Sequence, residues 1–91
     1  MEMAFVLINS ETGSEDEVLK ALEEIPKVRE AHQLYGVYGI IIKVEAETMQ
    51  ELKEIVTQRI RPLDKVHATL TMICHDPGEA VNEDGLRNRP V

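Results

Sequence analysis

The segment 36–39, Gly-Val-Tyr-Gly, is the part of this chain whose residue types are best suited to holding a small polar ligand. Two glycines so close together can take positive φ at no steric cost, which favours a tight connection between two strands. Such a turn leaves backbone N–H and C=O groups exposed, and these can bind a carboxylate and an ammonium group. A hairpin turn that binds nothing is the alternative interpretation.

Metal ligands are the second kind of chemistry that the sequence could support. His32, His67 and the run Cys74-His75-Asp76 contain imidazole, thiolate and carboxylate groups, all of which bind metals. Adjacent residues of a regular strand point to opposite faces, so Cys74 and His75 cannot both reach one ion. We therefore predict no metal site and no cofactor.

Acid–base catalysis has candidate residues but no convincing arrangement of them. Tyr35 and Tyr38 would need a neighbour that lowers a pKa near ~10, and the sequence identifies none. The acidic run 15–17 is placed where negative charge stabilises the first turn of a helix. These residues are interpreted as packing and capping groups, and no catalytic residue is predicted.

Composition and charge exclude several classes of protein. The chain has 91 residues, 43% of them hydrophobic and 30% charged, which is enough for one globular domain. Its net charge of -7 repels phosphate backbones, so direct nucleic-acid binding is not expected. The single cysteine permits no internal disulfide, and no segment has the pattern of a signal peptide or membrane span. We expect a cytoplasmic protein with no membrane contact.

The hydrophobic pattern predicts four strands and two helices in the order β-α-β-β-α-β. Capping-box spacing marks the start of each helix, at Ser14 with Glu17 and at Thr48 with Glu51. Proline ends each helix, at Pro26 and after Arg61. The strands are predicted at 3–8, 28–35, 40–44 and 66–74. Residues 1–75 would form the domain, and 76–91, without apolar periodicity, a flexible C-terminal tail.

This order of elements predicts an α+β, ferredoxin-like βαββαβ fold, with a four-stranded antiparallel sheet and two helices on one face. The first strand is apolar at both alternating sets of positions, and the third at nearly every position. The face without helices would then expose an apolar patch of a size that usually marks an interaction surface. We predict sheet-to-sheet dimerisation, as in dimeric α/β-barrel proteins.

The segments 34–44 (Leu-Tyr-Gly-Val-Tyr-Gly-Ile-Ile-Ile-Lys-Val) and 66–73 (Val-His-Ala-Thr-Leu-Thr-Met-Ile) carry a family resemblance. With the capped helix between them, they resemble the RAM (regulation of amino acid metabolism) domain. That domain is the effector-binding half of Lrp/AsnC (leucine-responsive/asparagine-regulator) transcription factors. The resemblance covers residues 3–74 in element order. Since no helix-turn-helix precedes it here, the chain resembles the stand-alone form of the domain.

The resemblance implies a regulatory function through assembly and ligand binding. It implies dimers that form rings of about four or five dimers, with small effectors, typically amino acids, bound where dimers meet. By family position the ligand-binding residues would be Gly36, Val37, Tyr38, Gly39, Thr69 and Thr71. The family usually has Asp directly after the Tyr, whereas this chain has Gly39. Full-length Lrp/AsnC regulators are implied as further partners.

Two other functions compete with this interpretation. Enzymes of the dimeric α/β-barrel type, such as small monooxygenases and isomerases, share the topology, and His32 or His67 would then be directed into a cavity. A purely structural assembly subunit would resemble the regulatory module in everything except ligand binding. In that case Thr69 and Thr71 would be ordinary β-branched strand residues.

Overall fold

The computed structural model describes residues 1–74, and the tail predicted at 76–91 lies outside the described residues. Four strands and two helices follow one another in the order expected from the sequence. The strands are β1 (Glu2–Ser10), β2 (Val28–Gln33), β3 (Ile40–Ala46) and β4 (Val66–Cys74). The helices are α1 (Glu15–Glu23) and α2 (Met49–Glu54), and α2 continues as a π-helical segment (Ile55–Ile60).

The strands form one antiparallel sheet in the order β2-β3-β1-β4. Each helix connects two strands that flank a third, which is the split βαβ arrangement. The predicted ferredoxin-like fold is confirmed. β1 and β3 are the central strands, and β2 and β4 are the edges.

The core lies between the sheet and the two helices. Alternate residues of β1 and β3 are fully buried there, including Val6 and Ile42, while their sequence neighbours are only half-buried. Leu22 of α1 and Leu52 of α2 are fully buried against them. Because side chains alternate between the faces of a strand, the intervening residues point to the second face of the sheet. Within residues 1–74 this second face carries no helix, and we call it the helix-free face.

The two helix starts differ from each other. The Thr48 hydroxyl accepts a hydrogen bond from the Glu51 N–H at 3.1 Å, as predicted, while the Glu51 carboxylate accepts from the Glu47 N–H at 2.8 Å. The capping box predicted at Ser14 is wrong, because its side chain makes no capping bond. The carboxylate of Glu15 instead accepts from the N–H of the preceding turn at 3.0 Å.

The second helix widens before it ends. The Arg61 N–H donates to the Val56 carbonyl at 2.9 Å, which is a bond between residues five apart. Such a π turn inserts one extra residue into the helix. Arg61 is the C-cap residue of this segment, and its side chain reaches Thr69 of β4.

Candidate functional site

The helix-free face of the sheet has an apolar half. In the strand register, Leu7 lies between Ile41 and Leu70, and Phe5 is paired with Met72. The β1 side chains are half-buried, but 46% of Leu70 and 44% of Met72 remain exposed. We call Phe5, Leu7, Ile41, Leu70 and Met72 the apolar strip.

The other half of this face is charged. Glu30 on β2 is within 3.3 Å of His32 and 3.4 Å of Lys43, and Glu45 on β3 is within 3.3 Å of Arg29. The hydrogen bond from His32, with that from Lys43, holds the pKa of Glu30 below its ordinary value. The prediction that β3 is apolar on both faces is therefore wrong, because its outward side carries one apolar residue and then a lysine and a glutamate.

The glycine segment forms the tip of the β2–β3 hairpin. The Leu34 N–H donates to the Gly39 carbonyl at 2.7 Å and closes the loop. Gly36 has a φ of 136°, a backbone conformation that favours glycine, whereas Gly39 does not have positive φ. Tyr35 is fully exposed and Val37 is 78% exposed, so the tip projects from the body of the domain.

Beside this tip lies a groove of about 430 Å³. Gly36 and Gly39 line it, but Val37 and Tyr38 are not among its lining residues. Glu15 and Asp16, from the start of α1, supply carboxylates to the groove. The sequence predicts these two acids only at the helix cap, because nothing in the spacing relates residue 15 to residue 39.

Thr69 and Thr71 lie on the other edge of the sheet, on the side of the helices. Their partners across the strand pair are Ile8 and Val6, which are buried in the core. The Thr69 hydroxyl accepts a hydrogen bond from the Arg61 Nε at 3.4 Å. The Thr71 Oγ1 is buried and has no hydrogen-bond partner among the described residues.

The two groups of predicted ligand-binding residues do not meet within one chain. Gly36 follows β2 and Gly39 directly precedes β3, whereas the threonines lie on β4, so two to three strand spacings, or about 10–14 Å, separate the two groups. Both groups are at the same end of the sheet, because Gln33, Ile40, Ile8 and Thr69 form one row across it. A small ligand that contacts one group therefore does not reach the other group of the same chain.

Of the residues considered for metal binding, His32, His67 and Cys74 belong to no metal-binding cluster, while His75 and Asp76 lie outside the described residues. Within the described residues 1–74, no group of three or more His, Cys, Asp or Glu side chains could hold a metal ion. His32 contacts Glu30 on the helix-free face, whereas His67 lines a groove beside Arg61. In this same part of the chain, no helix is long and apolar enough to span a membrane.

Known proteins are similar to this chain in both sequence and fold. An uncharacterized HTH-type transcriptional regulator of Pyrococcus furiosus is 36% identical over 73 residues, or 77% of this chain and 49% of the regulator. The chain thus spans about half the length of the curated relatives it matches. The chain in the crystal structure of FFRP-DM1 is 39% identical in sequence to this chain. The match covers 81% of this chain and 99% of that chain, with a TM-score of 0.79.

The structure of Escherichia coli AsnC also superposes with a TM-score of 0.79, at 25% identity, over 89% of this chain and 56% of AsnC. The family model for the Lrp/AsnC ligand binding domain matches residues 3–77. Because the family model matches most of the sequence and the fold is shared, the chain belongs to the Lrp/AsnC ligand-binding domain family.

Proposed function

We propose that this chain is a regulatory module that binds a small amino-acid-type effector and assembles through its sheet. Residues 1–75 would form the ligand-binding and assembly domain. The observation that carries the proposal is the separation of Gly36 and Thr69 on opposite edges of the sheet, since a complete site then requires assembly. Effector binding and assembly would be thermodynamically linked.

The apolar strip supports the assembly half of the proposal. Leu70 and Met72 lie on an edge strand and are nearly half exposed, next to the half-buried Phe5 and Leu7. Covering these side chains with the same surface of a second copy would remove apolar area from water on both chains. Resemblance to the family suggests dimers, which would assemble into rings of about four or five dimers.

The groove beside the β2–β3 hairpin supports the second part of the proposal, that the chain binds an effector. Gly36 and Gly39 present backbone groups there, and Glu15 stands beside Gly39, where an added Cβ would lie 3.7 Å from the Glu15 Cγ. The family usually has Asp at position 39, so Glu15 would supply the carboxylate that this chain lacks there. An α-ammonium group would then pair with Glu15, near Val37 and Tyr38 of the same loop.

Calorimetry with each of the common amino acids, and the assembly mass measured with and without them, tests the proposal. We expect at least one amino acid to bind and to shift the mass distribution. Glu15→Gln should weaken that binding roughly tenfold, since a charge-assisted hydrogen bond is lost. Glu23→Gln, an exposed glutamate at the other end of α1, is the matched control and should change nothing. No binding together with an unchanged mass would refute the effector function.

The proposed setting is cytoplasmic transcription regulation, with no direct contact to nucleic acid or membrane. Full-length Lrp/AsnC regulators are the proposed protein partners, because they carry the same domain and could join a mixed assembly. The module is proposed to be no enzyme. Among the described residues, His32 is on the helix-free face and His67 in an open groove, so neither is enclosed over the sheet as a barrel-type enzyme would require.

A further inference from the structure

The charged half of the helix-free face is one continuous series of contacts. His32 Nε2 lies 3.3 Å from one oxygen of Glu30, and the other oxygen of that carboxylate lies 3.4 Å from Lys43 Nζ. Glu45 then contacts both Lys43, at 3.7 Å, and Arg29, at 3.3 Å. We call these five residues the charged cluster. The whole cluster lies on β2 and β3, and 63% of the His32 side chain is exposed in the single chain.

The charged cluster directly borders the apolar strip. In the strand register His32 is paired with Ile41, and Lys43 is paired with Phe5. Neighbouring strands of a sheet are only about 4.8 Å apart. A second chain that covers the apolar strip therefore also comes close to the charged cluster.

The area of the face indicates that the cluster is itself covered. The four strands have six to nine residues each, so the whole face measures about 20–30 Å by about 19 Å, or roughly 400–600 Å² in projection. A typical stable interface buries about 800 Å² of accessible surface per partner. The apolar strip takes up only half of the face and is too small for such an interface alone. A second copy that binds stably here has the charged cluster within its interface.

The charges of the cluster are balanced while His32 is neutral. Its two carboxylates are matched by the ammonium group of Lys43 and the guanidinium group of Arg29. A proton on His32 leaves one positive charge in excess. Among the described residues, β1 places no ionisable side chain on this face, and β4 places only the thiol of Cys74 there, paired with Met3. No other group of the face therefore offsets the added charge.

This balance changes within the physiological range of pH. Imidazole is the side-chain type whose charge ordinarily changes between pH 5 and 8. Glu30 stays ionised through that interval, because its hydrogen bonds with His32 and with Lys43 hold its pKa below the ordinary value. In a two-fold assembly the same surface faces itself, so protonation adds a positive charge on both sides of the interface. Like charges across an interface oppose association, and covering a charged side chain removes its water.

We infer that His32 makes the proposed sheet-to-sheet assembly sensitive to pH. A neutral His32 lets the helix-free face pair with a second copy of the chain, and a protonated His32 weakens that pairing. This inference rests on the assembly part of the proposed function and adds a means by which the same surface is regulated.

Sedimentation velocity of the full chain at pH 7.5 and at pH 5.5, at one fixed ionic strength, tests the inference. We expect the Kd of the dimer to be about tenfold higher at pH 5.5, because two like charges are added to one interface. His32→Gln keeps a hydrogen-bond donor for Glu30 but has no titratable group. This variant should hold the Kd at pH 5.5 near the wild-type value at pH 7.5. Added salt should reduce the wild-type difference, since it screens charges near the surface.

His67→Gln is the matched control, because His67 lies beside Arg61 and outside the charged cluster. It should leave the pH dependence unchanged. Equal Kd values at the two pH values, a His32→Gln chain that keeps the difference, or a His67→Gln chain that loses it would overturn the inference. If the dimer forms and does not respond to pH, the proposed function stands and only this inference fails. A chain that stays monomeric at both pH values overturns the assembly part of the proposed function as well.

Discussion

Replacing Leu70 with aspartate should separate the proposed dimer. Leu70 lies on the helix-free face next to Leu7 and is 46% exposed in the single chain. Full burial of a leucine stabilises by about 1.5–3 kcal/mol, so covering the remaining exposed half is worth about 1 kcal/mol per chain. A two-fold interface contains the residue twice, which gives about 2 kcal/mol per dimer.

The aspartate adds a second penalty. Each carboxylate loses water when the face is covered, and the effective cost of an unpaired buried charge is several kcal/mol. A total of at least about 4 kcal/mol corresponds to a roughly thousandfold higher Kd for the Leu70→Asp chain. Since Leu70 already contacts water in the single chain, the monomer should keep its fold and its circular dichroism spectrum.

Sedimentation velocity over about 1–100 μM measures this effect, because a thousandfold increase in a Kd of about 1 μM leaves the protein mainly monomeric across this range. Val37→Asp is the matched control, since it makes the same kind of change at an apolar residue that is 78% exposed on the hairpin tip. That variant should leave the sheet-to-sheet dimer intact. A Leu70→Asp chain that sediments like the wild type would refute the assignment of this face.

Further predictions concern stability, measured by denaturant unfolding at one fixed protein concentration. Gly36→Ala should cost about 1–2 kcal/mol because of the φ of 136°, whereas Gly39→Ala, with only ordinary contacts for its new Cβ, should be neutral or stabilise by up to ~1 kcal/mol. Ile42→Ala should cost about 2–5 kcal/mol, because the side chain is fully buried; a smaller loss would mean that the core is looser than described. The hydrogen bond with His32 is the main cause of the lowered pKa of Glu30. The ionised Glu30 carboxylate therefore stabilises the fold above the ordinary glutamate pKa of about 4.3. This stabilisation is lost as the pH falls through the lower pKa of the folded state. Glu30→Gln should flatten that part of the stability profile, and an unchanged profile would contradict the contact.

The fold could be predicted because local signals and topology agree. β1 and β3 have buried residues at alternate positions, and Thr48 caps α2 as its spacing indicated. At Ser14 the same spacing failed, since the carboxylate of Glu15 bonds the turn at Gly13 instead. Capping residues compete for the same N–H groups, and sequence spacing alone does not decide which one wins.

The face of β3 illustrates a second limit. A run of three isoleucines suggests a strand that is apolar on both sides, yet only Ile41 points outward, followed on that side by Lys43 and Glu45. The run was too short for its composition to reveal the alternation. The charged half of the face depends on the pairing of Lys43 with Glu30 of β2. The register between β2 and β3 that brings these two residues together exists only in the folded sheet.

The candidate site was only partly accessible to sequence reasoning. Glycine 36 was identified from its turn chemistry, and its positive φ agrees with that reasoning. Glu15 was missed, because it reaches the hairpin groove through tertiary packing of α1 against the hairpin. Residues that come together from distant elements leave no spacing signal in one sequence.

A second copy of the chain is proposed to cover the apolar strip. Sedimentation equilibrium of the wild-type protein near micromolar concentration tests it most directly. If the strip is covered in this way, the measured mass is at least twice the 10.3 kDa of one chain. A mass of 10.3 kDa that persists as the concentration is raised would contradict it.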